Sequence, residues 1–195
     1  LGILAYEFHD KDSSFTAIET TPILQSSDHN FRPADIEIGP DGAIWFVDWQ
    51  NPIIGHMQHH IRDPNRDQRH GRVYRVTCPD RPLSKPPAIA AAPIDQLLEL
   101  LKQPELRVRY RTRIELSARD SDAVIAAVEL WKSSFEGGDP RHEHHLLESL
   151  WIYQQHNVVN QSLLQRMLRS PDYRARAAAT RVLCYWRDRV DGSLE

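Results

Sequence analysis

The chain has 195 residues, 41% hydrophobic and 26% charged, with a net charge of -3, the composition of a globular protein with a buried core. No run of about 18 apolar residues occurs, so no segment is predicted to span a membrane. Neither half is a basic surface for nucleic acid, since residues 1–92 hold 9 Lys+Arg against 12 Asp+Glu and residues 93–195 hold 15 of each.

The opening LGILAYEFHDKDSS lacks the basic start and apolar stretch of a signal peptide, and Leu1 is not an initiator Met, which predicts a piece of a longer protein or a processed product. FTAIETTPIL, residues 15–24, is predicted as a strand. Residues 34–38 alternate and end in Gly39-Pro40-Asp41-Gly42, a turn whose Pro fixes φ and whose last Gly accepts φ > 0. Residues 43–48 resume as an apolar, aromatic strand, which makes a β-hairpin. GRVYRVT, residues 71–77, reads as a third strand with Val73, Arg75 and Thr77 on one face and Arg72, Tyr74 and Val76 on the other.

Between the second and third of these strands lies an insertion rich in His, Arg and Asp, the strongest candidate for chemistry. His56, His59 and His60 fall on one face if the loop makes a helical turn, and imidazole is both a metal ligand and a proton acceptor near neutral pH. His56 and His60 are therefore candidate catalytic bases, and His56, His59, Asp63 and Asp67 candidate metal ligands. Asp63, Asn65 and Asp67 have the alternate spacing of calcium loops, but Gln68 and Tyr74 stand where an EF-hand requires Gly and Glu, so an EF-hand is excluded. Asp48, Trp49, Arg62 and Arg66 are candidate substrate or cofactor contacts, the arginines as forks for carboxylate, phosphate or quinone carboxylates. The competing reading is that the histidines bond the loop to itself, that Asp63 and Asp67 pair with Arg62, Arg66 or Arg69, and that Arg72 and Arg75 close the sheet on Asp35 or Asp48.

After a Pro/Ala-rich linker at residues 79–93 the hydrophobic period changes to 3.6. Stripes at Ile94, Leu97, Leu98 and Leu101, at Val124, Ala127, Val128 and Trp131, at Leu146, Leu147, Leu150, Trp151 and Tyr153, and at Leu163, Leu164, Met167 and Leu168 predict helices throughout. QPELRVR and SPDYRAR match as polar-Pro-acid-x-Arg-x-Arg, with Pro expected in the first helical turn. Pro104, Pro140 and Pro171 are spaced as the entries of every second helix, predicting about three stacked helix pairs. His142 and His145 are read as exposed or touching the next repeat, and the arginines at 107, 109, 111 and 113 as charge spread around a helix. Cys184, Trp186 and Trp151 are read as core. Cys78 and Cys184 are too far apart for CxxC or CxxCH and are read as unpaired thiols.

Residues 31–77, FRPADIEIGPDGAIWFVDWQNPIIGHMQHHIRDPNRDQRHGRVYRVT, resemble the last propeller blade of the membrane-bound dehydrogenases of planctomycetes and their relatives. The run DPRHEHHLLESLWIYQQHNVVNQSLLQRMLRSPDYRARAAATRVLCYW is similar to the HEAT-like section that follows in that family. The resemblance implies an α+β chain in two parts: a terminal β-propeller blade at 1–78, the linker at 79–93, HEAT-like repeats at 94–190 and a tail at 191–195. It implies a parent oxidoreductase of the quinone-type sugar or aldehyde dehydrogenase kind, periplasmic or secreted, using a quinone cofactor, calcium and haem c, with electron transfer to a cytochrome domain. The earlier blades and any CxxCH are missing from these residues, so the partners implied are those absent blades and that cytochrome domain. A single blade cannot enclose a substrate channel, and this chain alone is expected to be non-catalytic. The alternative is a scaffold whose helical repeats take a protein partner.

Overall fold

The computed structural model describes residues 1–11, 14–53 and 63–192. It is α+β, with short antiparallel sheets followed by six helices, and it divides into two compact units, Leu1–Pro86 and Pro87–Glu195.

The first unit holds β1 (Gly2–Ile3), β2 (Tyr6–Lys11), β3 (Ser14–Glu19), β4 (Leu24–Gln25), β5 (Pro33–Ile38), β6 (Ile44–Asp48) and β7 (Arg72–Val76). They pair as β1–β4, β2–β3 and β5–β6–β7, all antiparallel. The single strand expected at 15–24 is two strands. Residues 20–23 turn between them, with the Thr20 amide donating to the Ala5 carbonyl and the Ile23 amide to that of Ile3. The Gly39–Gly42 turn is closed by Gly42 donating to the Gly39 carbonyl at 3.0 Å, with Gly42 at φ 80°, a conformation a Cβ would strain. Asp35, at φ 49°, is the bulged residue that shifts the β5–β6 register between Ala34 and Ile36. Its carboxylate is not what Arg72 or Arg75 binds: Arg72 pairs with Asp48 and Asp28, and Arg75 with Asp41 at the turn.

Cross-strand register puts Phe46 beside Tyr74 on one face of this sheet, where Phe31 meets both rings edge-on and Ile3 completes a small core. Val47 and Val73 pair on the opposite face, next to Trp45. That face is open: Val73 is 70% exposed, and Trp45 and Val47 are exposed as well. Ile36 and Ile38, at the β5 edge of the Phe46 face, are also exposed.

The second unit comprises α1 (Ile94–Leu100), α2 (Leu106–Ser117), α3 (Ser121–Ser133), α4 (His142–Gln155), α5 (Gln161–Leu168) and α6 (Tyr173–Trp186). Successive helices pack in pairs, and α4 also lies against both α2 and α6. Asp120, Asn160 and Asp172 cap α3, α5 and α6 by accepting from backbone amides. Because α4 is flanked on both sides, its buried set runs around most of the helix, from His145 to Leu150 and on to Ile152 and Tyr153. Among the described residues no helix is long and apolar enough to cross a membrane.

The repeated Pro motif has a defined mechanical role. Each proline precedes its helix instead of sitting in the first turn: Pro104 lies before the N-cap Glu105, Pro140 before Arg141 and Pro171 before Asp172. Five residues after the first and third prolines, Arg109 donates to the carbonyls of Gln103 and Pro104, both at 2.7 Å, and Arg176 to those of Ser170 and Pro171 at 2.7 and 3.2 Å. The equivalent position after Pro140 is His145, whose Nδ1 lies 3.2 Å from an Asp139 carboxylate oxygen. Thus an arginine folds back over the first and third Pro entries and ties each loop to its helix, while a histidine stands in that place at the second.

Candidate functional site

Four of the sequence-predicted site residues, His56, His59, His60 and Arg62, lie outside the described residues. Asp48 closes the first-unit sheet from within. It is 2% exposed; Oδ1 accepts from the amides of Arg32 (2.7 Å) and Gln50 (2.8 Å), and Oδ2 from Arg72 Nε (2.7 Å). Burial opposes its charge, but the two amides and the Arg72 guanidinium outweigh it and hold the carboxyl below the ordinary aspartate value. Arg72 reaches Asp28 at 2.8 Å with NH1, so one guanidinium ties β7 to the end of β6 and to the segment before β5. Trp49 is exposed, 54%, and Arg66 is half-buried.

Asp63 and Asp67 both shape turns. Asp63 Oδ1 accepts from the Asn65 amide at 2.9 Å, and Asp67 Oδ1 from those of Arg69 and His70 at 2.9 and 3.1 Å. The His70 ring lies 2.9 Å from Asp67 Oδ2, so this carboxylate is engaged on both oxygens. Among the described residues no three His, Cys, Asp or Glu side chains converge as a metal site would require.

The densest charge constellation is in the helical unit. Glu148 on α4 is completely buried. Its carboxylate lies 3.3 Å from Arg109 Nε, 3.0 Å from Arg113 Nε and 3.3 Å from His144 Nε2, and accepts from Arg113 NH2 at 3.2 Å. Arg109 and Arg113 are one turn apart on α2, so half of the arginine series converges on one carboxylate. It does not merely spread charge around the helix. Two permanent cations against one anion leave a net positive charge at this spot. Of the two outcomes expected for His145, exposure or contact with a neighbour, the structure shows contact: it is 2% accessible beside Phe135, and burial, opposed by Asp139, holds its pKa below the ordinary histidine value.

Beside this centre the α2, α4 and α6 layer carries an open groove of about 570 Å³, lined by Arg113, Trp151, Gln154, Gln155, Asn157, Tyr185 and Trp186. The Arg113 guanidinium stands over the Trp151 ring, 5.2 Å from its centroid. Asn157, at φ 58°, accepts from Arg189 through its side-chain oxygen at 2.5 Å and its carbonyl at 3.0 Å. Trp186 forms the buried floor, whereas Tyr185 is 65% exposed at the edge. Of the three residues read as core, Trp186 is core, Trp151 is half-buried in the groove, and Cys184 is exposed.

Residues 5–80 match the model of a domain of unknown function, DUF7133. No curated protein and no solved structure matches the chain.

The DUF7133 match takes in β2 to β7, the Asp28–Arg72–Asp48 network and the Asp63–Asp67 turns. The Glu148 centre and the groove lie outside it. A signal for Glu148 was present in the sequence. Counted from the three prolines, it occupies the position of Thr112 in α2 and Ala179 in α6, both fully buried. A carboxylate where both neighbouring repeats use a small uncharged residue breaks the local rule and marks the middle repeat as different.

Proposed function

We propose that this chain is the terminal blade-like and helical section of a larger oxidoreductase of the quinone-type sugar or aldehyde dehydrogenase kind, and that it is itself non-catalytic. The reading is carried by the β5–β6–β7 sheet, which holds exposed apolar residues on both faces, Trp45, Val47 and Val73 on one and Ile36 and Ile38 on the other. A sheet patterned this way is built to be covered on both sides, as propeller blades are by their neighbours. Full burial of such a side chain contributes about 1.5–3 kcal/mol, of which these residues, 38–70% exposed, forgo roughly half when open. In the same reading the three helix pairs are HEAT-like, and the parent is periplasmic or secreted.

In this reading the quinone, calcium and haem c belong to the parent. No CxxCH is present in the sequence, and the Asp63 and Asp67 carboxylates are turned onto their own loop. The test is to sequence the coding region on both sides and assay the longest product for dye-linked oxidation of sugars and aldehydes. Upstream blades, a downstream CxxCH and oxidation would support the reading. Stop signals flanking the segment, or a parent with neither bound cofactor nor oxidation of any sugar or aldehyde, would end it.

A second reading, that the helical unit is a protein-binding scaffold, is favoured by the groove beside Arg113 and Trp151. Capture of a defined partner, unaffected by changes at His56 and His60, would support it.

A further inference from the structure

The groove on α2, α4 and α6 has a chemical bias. Its lining includes one guanidinium, three amide-bearing side chains at Gln154, Gln155 and Asn157, three aromatic rings and no carboxylate. Behind it, Glu148 neutralises only one of the two charges of Arg109 and Arg113. Arg189, held on Asn157, adds a further cation at the rim. The Arg113 guanidinium is held on two sides, by Glu148, which accepts from NH2 and carries its charge 3.0 Å from Nε, and by the Trp151 face. It is thus preorganised, with its remaining N–H groups free of protein partners among the described residues.

We propose that this groove binds an extended acidic segment of a partner protein, an inference that rests on the scaffold reading above. A Glu or Asp carboxylate of the segment meets Arg113, the Gln and Asn amides offer both donors and acceptors to its main chain, and an apolar side chain lies against Tyr185. A peptide is favoured over nucleic acid because the cations here are few and partly neutralised, whereas a polyanion needs a basic stripe along its backbone. The helical half carries no excess of basic residues, 15 Lys+Arg against 15 Asp+Glu for residues 93–195. The groove's positive excess is therefore local, suited to one or two carboxylates.

The experiment is selection of a random 12-residue peptide library on the full chain, followed by fluorescence anisotropy of the selected peptides. Three proteins are compared: wild type, Arg113→Gln and Tyr185→Asp. Tyr185 is exposed, so its substitution puts a carboxylate into the groove without disturbing the core, and it stands as the readout if Arg113→Gln unfolds by circular dichroism. The expected result is enrichment of acidic peptides, with binding weakened about tenfold or more by Tyr185→Asp, by Arg113→Gln, and by replacing the peptide's Glu with Gln. Peptides that are lost with Tyr185→Asp but are neither acidic nor sensitive to Arg113→Gln would overturn the proposal and leave the scaffold reading standing. If no peptide is selected, or none responds to Tyr185→Asp, the proposal and the use of this groove as a scaffold both fail. Displacement of the peptides by a dT12 oligonucleotide at equal concentration would overturn the proposal in favour of polyanion binding.

Discussion

Glu148→Gln is the most informative single change for the helical unit. The substitution keeps the volume and one acceptor oxygen, so no cavity forms and the effect isolates the charge. It leaves Arg109 and Arg113 without their counter-ion, at side-chain exposures of 15% and 24%. Breaking a buried pair from one side costs roughly 3–5 kcal/mol. Partial access of water to both guanidinium groups, and the two carbonyls that still hold Arg109, reduce this to about 2–3 kcal/mol. For a unit of this size, 1 kcal/mol moves Tm by about 4–8 °C, so a fall of about 8–24 °C is expected. Circular dichroism at 222 nm reads it directly, since all six α-helices of the described residues belong to this unit. The Arg113→Gln/Glu148→Gln double variant should lose less than the sum of the singles, by about 1–3 kcal/mol. A Glu148→Gln protein within about 0.5 kcal/mol of wild type, or strict additivity in the double variant, would refute the account of α2 and α4 as clamped through this carboxylate.

The first unit should lose stability in acid. Asp48 is held below its ordinary value in the fold, so its contribution is complete above the unfolded aspartate pKa and fades as pH falls through the lower folded one. Amide exchange at Phe46 followed from pH 5 to pH 2 by NMR, corrected for intrinsic rates, should show this loss, and Asp48→Asn should flatten it; equal pH profiles would count against the Arg72–Asp48 closure. Replacing Val47 and Val73 together by Thr should cut binding of the apolar dye ANS while changing stability by no more than about 1 kcal/mol, because these side chains are 43% and 70% exposed. A loss above about 2 kcal/mol in urea unfolding would mean that this face is packed. Arg176→Ala should destabilise the helical unit by about 1–3 kcal/mol through its two carbonyl bonds, measured by thermal melting, and Arg176→Lys should recover only part, since a single ammonium lacks the fork.

The elements were legible wherever a side-chain period met a distinct terminator. The β5–β6 hairpin showed itself through the Pro-Asp-Gly turn, and α1 and α3 to α5 through apolar stripes. Of the β2–β3 hairpin only β3 was legible, inside the strand expected at 15–24; β2 was not, and the structure shows why: every described residue of both strands is exposed, so no buried face imposes an alternation. Its order rests on the backbone ladder and on Phe8 meeting Phe15 edge-on at 5.4 Å. α2 was visible only through its Pro motif, because Leu106, Tyr110 and Ile114 point to solvent and only Thr112 and Leu116 are buried.

The candidate site was less legible, because burial of a charged residue depends on neighbours far along the chain. Asp48 had two readings in the sequence, a rim contact or the partner on which Arg72 closes the sheet; the fold shows the Arg72 pair and adds what the sequence could not, the amides of Arg32 and Gln50 closing around the same carboxylate. Glu148 has the same origin at longer range: its partners Arg109 and Arg113 are held one turn apart by α2, and α2 is brought against α4 by helix pairing. Aligning the three prolines would have exposed it, since Thr112, Glu148 and Ala179 then fall in one column and only one of them is charged. An arginine series that steps by two spreads charge only while its helix is considered alone. Once a neighbouring helix buries an acid opposite two of its members, those two become a site and the others remain surface.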